Sequence, residues 1–379
     1  MRPTSVYVHF PWCLAKCPYC DFASASIRRD EVPHQAYAEA ILRELDRRAS
    51  GLRGRRLTSV FFGGGTPSLW DPAALGRVLG AIRDAFEERE EEVEVTVECN
   101  PTSLDRAKAA ALREAGVDRL SIGVQSLDAA RLRFLGRLHD ADGALRALSA
   151  ALAEVPRVSA DLMFGLPGQR ADDFAAELVR VLDTGVRHVS AYALTIEEGT
   201  QFGALHRKGK LPIALEDDVA ETFERAEEVC ARAGLVHYEV SNYAVDGEEA
   251  RHNLHYWAGG DYVGLGAGAV GCTVQGRRAR RWRNDPRPER YLEHPGAEVF
   301  EETLEPEDRV REALMLGLRT VRGVDLAALR EETGVDPRAG RERAFARRIE
   351  RGDVTLEGER LRVPPSRWLL LDSIVSDLF

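Results

Sequence analysis

A strand and helix pattern repeats along the first 196 residues and sets narrow limits on the fold. Alternating apolar stretches predict strands at 6–10, 57–62, 93–99, 119–125, 157–165 and 188–196. Between them, helical spacing of apolar residues predicts helices at 34–49, 71–88, 103–115, 140–153 and 171–184. Strands that alternate with helices form parallel sheets through right-handed crossovers. The sequence therefore predicts an α/β fold, a partial TIM-like (β/α)6 barrel with too few repeats to close.

Cys13, Cys17 and Cys20 lie in a short loop directly after the first predicted strand. Three thiolates can hold three irons of a 4Fe-4S cluster and leave the fourth iron open to another ligand. The alternatives are three buried cysteines or a structural zinc site. Structural zinc takes four closed ligands, and His9 is a poor candidate for the fourth. The spacing therefore favours a cluster with one exchangeable position.

Polar residues and glycines stand at most of the predicted strand ends. Barrel proteins place their working residues at the carboxyl ends of the strands. A lone acidic residue at such a place is often a helix cap or an ion-pair partner, but recurrence at several ends favours a binding site. The glycine run lacks the Lys-Ser/Thr of a phosphate loop and suits close backbone approach to an ammonium group. The candidates are Gly63 to Thr66, Glu98, Asn100, Gln125, Ser126 and Asp161.

A second chemically rich stretch, Arg-His-Asn-Leu-His-Tyr-Trp at 251–257, follows the point where the repeat breaks. Imidazole binds iron, and the rings of Tyr256 and Trp257 offer flat apolar surface to a porphyrin. We consider His252 first and His255 second as an iron ligand, with an ordinary hydrogen-bonded loop as the alternative. The arginine run at 277–283 is either a solvated face or a grip for porphyrin carboxylates.

The last part of the chain changes character and predicts a winged-helix-like α+β domain. Helices at 306–321, 325–333 and 338–350 precede a hairpin with strands at 354–356 and 361–363. A net charge of −10 argues against nucleic acid as a partner and favours a packing or protein-binding role. We therefore divide the chain into a barrel at 1–200, a barrel extension at 201–300 and a C-terminal domain at 301–379.

Several motifs resemble those of the radical S-adenosylmethionine (SAM) superfamily and, within it, the oxygen-independent coproporphyrinogen III oxidase family. They are the C-x3-C-x2-C loop, Tyr7-Val-His9-Phe-Pro-Trp-Cys13, the Gly-Gly-Gly-Thr-Pro run at 63–67, Val97-Glu98-Cys-Asn-Pro101, Gly123-Val-Gln125 and Asp161-Leu-Met-Phe-Gly-Leu-Pro167. The resemblance implies that the three loop cysteines hold a 4Fe-4S cluster whose fourth iron binds SAM. The implied SAM contacts are Tyr7, Gly64, Gly65, Thr66, Glu98, Gln125, Arg137 and Asp161, with Ala193 and Ala269 as further contacts.

Two departures from the oxidase pattern point to the HemW-type heme chaperone branch of that family. Phe22 stands where the oxidase motif has a fourth cysteine, and the oxidase's long N-terminal extension is absent. His252, Asn253, Tyr256 and Trp257 match a motif associated with heme in the chaperone branch. The resemblance therefore implies a protein that binds a cluster, SAM and heme and delivers heme to an acceptor apoprotein. The alternative is an oxidase that decarboxylates coproporphyrinogen propionates, so whether the chain is an enzyme stays open.

The cysteines also indicate a partner and a cellular compartment. A 4Fe-4S cluster needs a source of electrons, so we expect an electron donor of the flavodoxin or ferredoxin type. Six cysteines, three of them clustered, indicate a reducing compartment, and we expect the cytoplasm. No run approaches the ~20 apolar residues of a membrane span, which leaves peripheral contact as the only kind of membrane association.

Overall fold

The computed structural model describes all 379 residues, and a twelve-stranded sheet forms its centre. The elements of the first half are β1 Arg2–Phe10, β2 Trp12–Cys13, β3 Ala25–Ser26, α1 His34–Leu52, β4 Arg55–Gly64, α2 Pro72–Ala85, β5 Glu88–Cys99, α3 Arg106–Glu114, β6 Arg119–Gln125, α4 Ala129–Phe134, α5 Ala141–Glu154, β7 Arg157–Phe164, α6 Ala171–Leu182 and β8 His188–Ala193. Strands β1, β4, β5, β6, β7 and β8 pair in parallel, in that order. The six predicted strands and the five predicted helices are confirmed.

Local sequence explains where several helices begin. The side chains of Asp71, Asp105 and Asp140 accept backbone N–H bonds of 2.9, 2.8 and 2.7 Å in the first turns of α2, α3 and α5. Each bond satisfies a donor that the helix itself leaves unpaired. Short 3-10 helices lie at Arg29–Glu31, Pro67–Leu69, Pro101–Ser103 and Pro365–Leu370.

Residues 201–304 extend the same sheet on both sides of the six parallel strands. Their elements are α7 Gln201–Arg207, α8 Glu216–Arg232, β9 Val236–Glu239, β10 Asn242–Ala244, α9 Arg251–Trp257, β11 Asp261–Leu265, β12 Val270–Gln275, β13 Arg278–Asn284, α10 Pro288–Glu293 and β14 Glu298–Leu304. Strand β11 pairs with β1 in parallel, and β10 pairs with β8 in antiparallel fashion. Because β1 and β8 pair with these strands and not with each other, the barrel stays open.

The C-terminal domain has its own core of 15 buried residues, separate from the 60-residue core of the barrel and its extension. Its elements are α11 Pro306–Gly317, β15 Val324–Asp325, α12 Leu326–Thr333, α13 Glu342–Glu350, β16 Thr355–Glu357, β17 Arg360–Arg362 and α14 Leu371–Asp377. The three predicted helices and the hairpin are confirmed, with β15 and α14 in addition. The division at residue 200 thus marks a change of topology within one core, and the division at 300 falls inside β14.

None of the helices is long and apolar enough to cross a membrane. The longest, α1, is instead an amphipathic helix that buries Tyr37, Ile41 and Leu45 against the sheet.

A glycine series at 266–271 matches the spacing of a dinucleotide-binding loop but serves packing. Gly266 N–H donates to Glu44 Oε2 at 2.9 Å. A side chain at Gly271 would overlap the ring of Trp282, which lies against that glycine. Strand β12 follows the series, where a dinucleotide loop would need a helix.

The fully buried carboxylate of Glu44 joins α1 to the barrel extension. Besides Gly266 N–H, it accepts hydrogen bonds from Tyr291 Oη at 2.6 Å, Asn284 Nδ2 at 2.8 Å and Arg48 Nε at 2.8 Å. The Arg48 guanidinium in turn lies over the Trp282 ring, 4.7 Å from its centroid. A buried charge with this many partners stabilises only while all of them are present.

We predict that Glu44→Ala destabilises the protein by about 3–5 kcal/mol, because it leaves the buried Gly266 N–H and Tyr291 hydroxyl without an acceptor and removes one of the two carboxylates paired with Arg48. Guanidinium chloride unfolding followed by circular dichroism measures this change. The control is Glu39→Ala on the same helix, whose carboxylate pairs only with the exposed Arg77. It should cost less than about 1 kcal/mol. Equal costs for the two variants would contradict the role given to Glu44.

Candidate functional site

The cysteine loop folds over the carboxyl ends of β1 and β4. Cys13, Cys17 and Cys20 are half-buried and line one cavity of about 170 Å³. A tight turn brings two of them together, since Cys20 N–H donates to the Cys17 carbonyl at 3.1 Å. The Lys16 ammonium fixes the rest of the loop by donating to the carbonyls of Phe22 and Ser24, at 2.9 and 3.1 Å.

The donor set of this loop fits a polynuclear cluster. No three His, Cys, Asp or Glu side chains converge on a point where a single metal ion would sit. In an iron-sulfur cubane each thiolate binds a different iron, so the sulfurs need not converge. Arg137 Nη1 lies 3.6 Å from Cys17 Sγ and so contacts the sulfur of this loop directly.

Three glycines at the end of β4 let the cysteine loop and β1 pack directly on that strand. A Cβ on Gly65 would come within 2.6 Å of the Trp12 carbonyl oxygen, and one on Gly64 would overlap the His9 ring. Gly64 also has φ +106°, which side chains disfavour. Two backbone hydrogen bonds also hold this contact together, since Gly65 N–H and Thr66 N–H donate to the carbonyls of Phe10 and Trp12.

Two half-buried carboxyl groups, Glu98 and Asp161, line the same cavity and neither caps a helix. Glu98 Oε2 accepts from Gly64 N–H at 3.0 Å, and Asp161 accepts from the Ser121 and Ser159 hydroxyls at 2.9 and 3.2 Å. Burial, together with the charge of Asp161, raises the pKa of Glu98 to about 8. Burial also raises the pKa of Asp161. The pair is therefore poised to accept a cationic or hydroxyl-bearing ligand.

The other predicted acceptors at strand ends have structural partners. Asn100 caps the short helix at Pro101–Ser103 through a 3.0 Å bond from Thr102 N–H to Oδ1. The Ser126 hydroxyl is buried and donates to Glu177 at 2.7 Å. Asn100, which also lines the cavity, therefore acts as a cap and Ser126 as a partner of Glu177, whereas Glu98 and Asp161 do neither.

Gln125 is the one non-glycine residue with positive φ, at +66°. A register shift in the β6–β7 pairing accompanies this conformation. Tyr192 Oη donates to Gln125 Oε1 at 2.7 Å, which holds the amide in the cavity. Such strain persists where surrounding contacts fix it, often at binding sites. Sequence reasoning missed Tyr192, although it is a polar residue at the end of the last barrel strand.

Arg137 supplies the cationic side of the cavity. Its Nη2 donates to the Gly123 carbonyl at 2.7 Å, while its buried Nε has no hydrogen-bond partner. A buried guanidinium donor without a partner fits a ligand carboxylate.

The structure brings most of the predicted SAM contacts together with the three cysteines and leaves three apart. Tyr7 lines a different cavity, because its hydroxyl bonds to His9 Nδ1 at 3.0 Å. Ala193 lies beside Gly165 at the end of β8, outside the lining. Ala269 is fully buried, with its N–H and carbonyl bonded to Gly266 and Asn284. The residues that do line the cavity are Gly64, Gly65, Thr66, Glu98, Gln125, Arg137 and Asp161.

A second cavity of about 810 Å³ adjoins the first, between the barrel, β11–β13 and α11. All four residues of the predicted heme motif, His252, Asn253, Tyr256 and Trp257, line it. Tyr7 and His9 form part of its wall on the side of Gly64. Phe22, which is 56% exposed, lines both cavities.

The two histidines of α9 differ in their surroundings. Burial lowers the pKa of His252 to about 4, so its imidazole is neutral at pH 7. Its Nδ1 lies 2.9 Å from the Ser59 hydroxyl, and its Nε2 makes no hydrogen bond within the protein. His255 Nε2 instead lies 2.8 Å from the Asp261 carbonyl, and His255 does not line the cavity. Of the two histidines, the structure therefore turns only His252 toward the cavity.

The arginine run divides between the two faces of β13. Arg281 and Arg283 line the second cavity, whereas Arg278 and Arg280 pair with glutamates elsewhere. The Arg281 charge is met by Glu302 and Glu312. Arg283 is exposed and forms no ion pair, so of the two arginines that line the cavity it is the one that remains open to a carboxylate.

Comparisons with known proteins agree with this arrangement. Residues 7–181 match the Radical SAM superfamily, and residues 304–370 match the HemN C-terminal domain. The chain is 38% identical over 273 residues to the heme chaperone HemW of Escherichia coli, covering 72% of this chain and 70% of that protein. It is 35% identical to the heme chaperone HemW of Mycobacterium tuberculosis, over 100% of this chain and 95% of that protein.

A mouse protein, "Radical S-adenosyl methionine domain-containing protein 1, mitochondrial", is 39% identical over 86% of this chain and 70% of its own length. Among solved structures, coproporphyrinogen III oxidase (HemN) from Escherichia coli superposes with a TM-score of 0.82 at 22% identity, over 100% of this chain and 90% of that chain. At this low identity the superposition establishes a common fold alone. The HemW relatives, which are 35–38% identical, establish the family. The chain therefore belongs to the heme chaperone HemW family within the radical SAM superfamily.

Proposed function

We propose that this protein holds heme in the second cavity and passes it to an acceptor apoprotein. The observation that carries this proposal is the lining of the cavity. One neutral imidazole with a free Nε2, two flat aromatic rings and one unpaired arginine face a single space of about 810 Å³. Heme needs an axial ligand, apolar walls and cations for its propionates, and the volume lies in the usual range for ligand sites.

Radical SAM membership implies a 4Fe-4S cluster and SAM, and the residues that line the first cavity have the chemistry to hold both. Cys13, Cys17 and Cys20 would hold three irons of the cluster. Arg137 would pair with the SAM carboxylate, and Glu98 and Asp161 would accept its ammonium or ribose donors. The cluster supplies a single electron at low potential when it is bound.

The oxidase alternative keeps the fold but lacks one feature of the oxidase site. Phe22 occupies the position of the fourth cysteine and lies between the two cavities. The likeness to HemN at 22% identity supports only the shared fold. An anaerobic assay for decarboxylation of coproporphyrinogen separates the two functions, and we expect no turnover.

The surface near the cysteine loop suits an electron-donor protein as a partner. Helix α7 packs on that loop through a 2.9 Å bond from Phe202 N–H to the Pro18 carbonyl. The segment that ends α7 is basic and exposed, with Arg207, Lys208 and Lys210. In a chain of net charge −10, this local positive patch suits an acidic electron donor of the flavodoxin or ferredoxin type. We place the protein in the cytoplasm, where thiolates stay reduced.

Alanine at Cys13, Cys17 or Cys20 should abolish the cluster absorbance of anaerobically reconstituted protein, because each removes the ligand of one iron. Cys230→Ala and Cys272→Ala are the controls, since neither thiol lines the cluster cavity. Iron content and the visible spectrum measure the effect. A full cluster in the triple variant of the loop would overturn the assignment.

SAM affinity should rise with pH up to about 8 and then level off. Glu98 has a pKa of about 8 without ligand and is protonated below it. Because a protonated carboxyl accepts poorly from a cation, binding must release this proton, at a cost that shrinks as pH rises. Calorimetry in buffers of different ionisation enthalpy measures the release. Glu98→Gln should bind more weakly and lose the pH dependence, and an unchanged profile in that variant would place Glu98 outside the site.

His252→Ala should weaken heme binding at least about tenfold, or ~1.4 kcal/mol, by removing the axial imidazole. His255→Ala is the matched control, because His255 bonds to the Asp261 carbonyl outside the cavity and should leave heme affinity near that of the parent. Heme titration followed in the Soret region gives both affinities. Parent-like affinity in His252→Ala, together with coproporphyrinogen turnover by the parent, would replace the chaperone proposal by the oxidase.

A further inference from the structure

Heme iron in proteins is bound by His, Cys, Met or Tyr side chains, and the second cavity offers few of these with free ligand atoms. Of its two histidines, His9 has both ring nitrogens engaged, Nδ1 with Tyr7 Oη at 3.0 Å and Nε2 with the Ala23 carbonyl at 2.9 Å. Only His252 keeps a nitrogen free. No cysteine lines the cavity, since Cys272 faces the neighbouring cleft between the extension and the C-terminal domain.

The tyrosines of the cavity are poorly placed to bind iron opposite His252. Tyr7 bonds to His9, and Tyr256 lies one turn after His252 on α9, on the same side of a bound ring. Tyr256 and Tyr262 pack with their ring centroids 5.1 Å apart. Burial raises the pKa of Tyr262, which disfavours the phenolate that iron requires. These three hydroxyls therefore compete poorly for iron.

The remaining ligand atom is the thioether of Met315. This residue is half-buried on α11 and lines the second cavity next to Leu316, on an element of the C-terminal domain that packs against α9. A thioether has no proton to lose and needs no hydrogen-bond partner, so it is available at any pH. Methionine opposite histidine is an established pair of heme ligands.

We propose that Met315 Sδ is the second axial ligand of the heme iron, opposite His252 Nε2. The inference rests on the proposed function, and it adds that the heme iron is bound by one residue from each of two domains. His252 belongs to α9, which is fixed to the barrel, whereas Met315 belongs to the C-terminal domain. Because sulfur is a soft ligand, the pair favours ferrous over ferric iron, and the protein should bind ferrous heme more tightly.

Met315→Leu tests the ligand, because leucine keeps the apolar volume and removes the sulfur. Ferric heme bound to the parent should show the near-infrared charge-transfer band of methionine ligation, and Met315→Leu should lose that band and become high-spin. Met315→His should give a low-spin bis-histidine spectrum. Unchanged spectra in both variants would overturn the inference.

Metal-free protoporphyrin IX separates coordination from packing. Met315→Leu should weaken ferrous heme binding at least about tenfold and leave the affinity for the metal-free ring unchanged, because only iron can use the sulfur. The matched control is Leu316→Ala, which should weaken both porphyrins alike and keep the charge-transfer band. Equal loss for both porphyrins in Met315→Leu would show that Met315 only packs.

Heme binding by the parent separates failure of the methionine ligand from failure of the heme-carrier function. If the parent binds heme through His252 but its spectrum does not depend on residue 315, the chaperone proposal stands and the methionine ligand does not. If the parent binds neither ferrous nor ferric heme, the proposed function itself fails.

Discussion

The close approach of Gly63, Gly64 and Gly65 to β1 and the cysteine loop is the constraint on which both cavities depend. A Cβ on Gly63 would lie 2.9 Å from the Tyr7 ring and 3.2 Å from Glu98 Oε2. A larger residue at any of the three positions would push β1, its loop or the glutamate away from β4. The glycine backbone thus forms a thin wall with the cluster cavity on one side and His9 on the other.

The heme-motif helix depends on the barrel for its position. Helix α9 has seven residues and is too short to be stable alone. The buried carboxylate of Glu94 on β5 accepts from Arg251 N–H and His252 N–H at 3.0 and 2.9 Å and so caps the helix from outside. Although burial alone would raise the pKa of Glu94, Arg119 and Arg157 lower it and keep the group ionised. The imidazole of His252 is therefore oriented by the same strand layer that carries Glu98 and Asp161.

The sequence predicted most of the barrel because its periodicity is local. The cysteine loop, Glu98, Gln125 and Asp161 were recognisable as strand-end residues, and the structure places them together. Contacts between distant segments were not predictable in this way. The pairing of Arg281 with Glu302 and Glu312, which neutralises one of the two cavity arginines, joins β13 to β14 and α11. The bond that holds Gln125 in its cavity comes from Tyr192, 67 residues away. Neither is encoded in a short stretch of residues.

The C-terminal domain forms one wall of the second cavity through α11. Inside the domain, Arg341 and Arg348 pair with Glu307 and Asp353. The domain is also joined to the β9–β10 hairpin by backbone bonds, among them Val240 N–H to the Arg319 carbonyl at 2.9 Å. Because α11 supplies Met315 and Leu316 to the second cavity from this fixed position, a displacement of the domain relative to the barrel would open that cavity on one side.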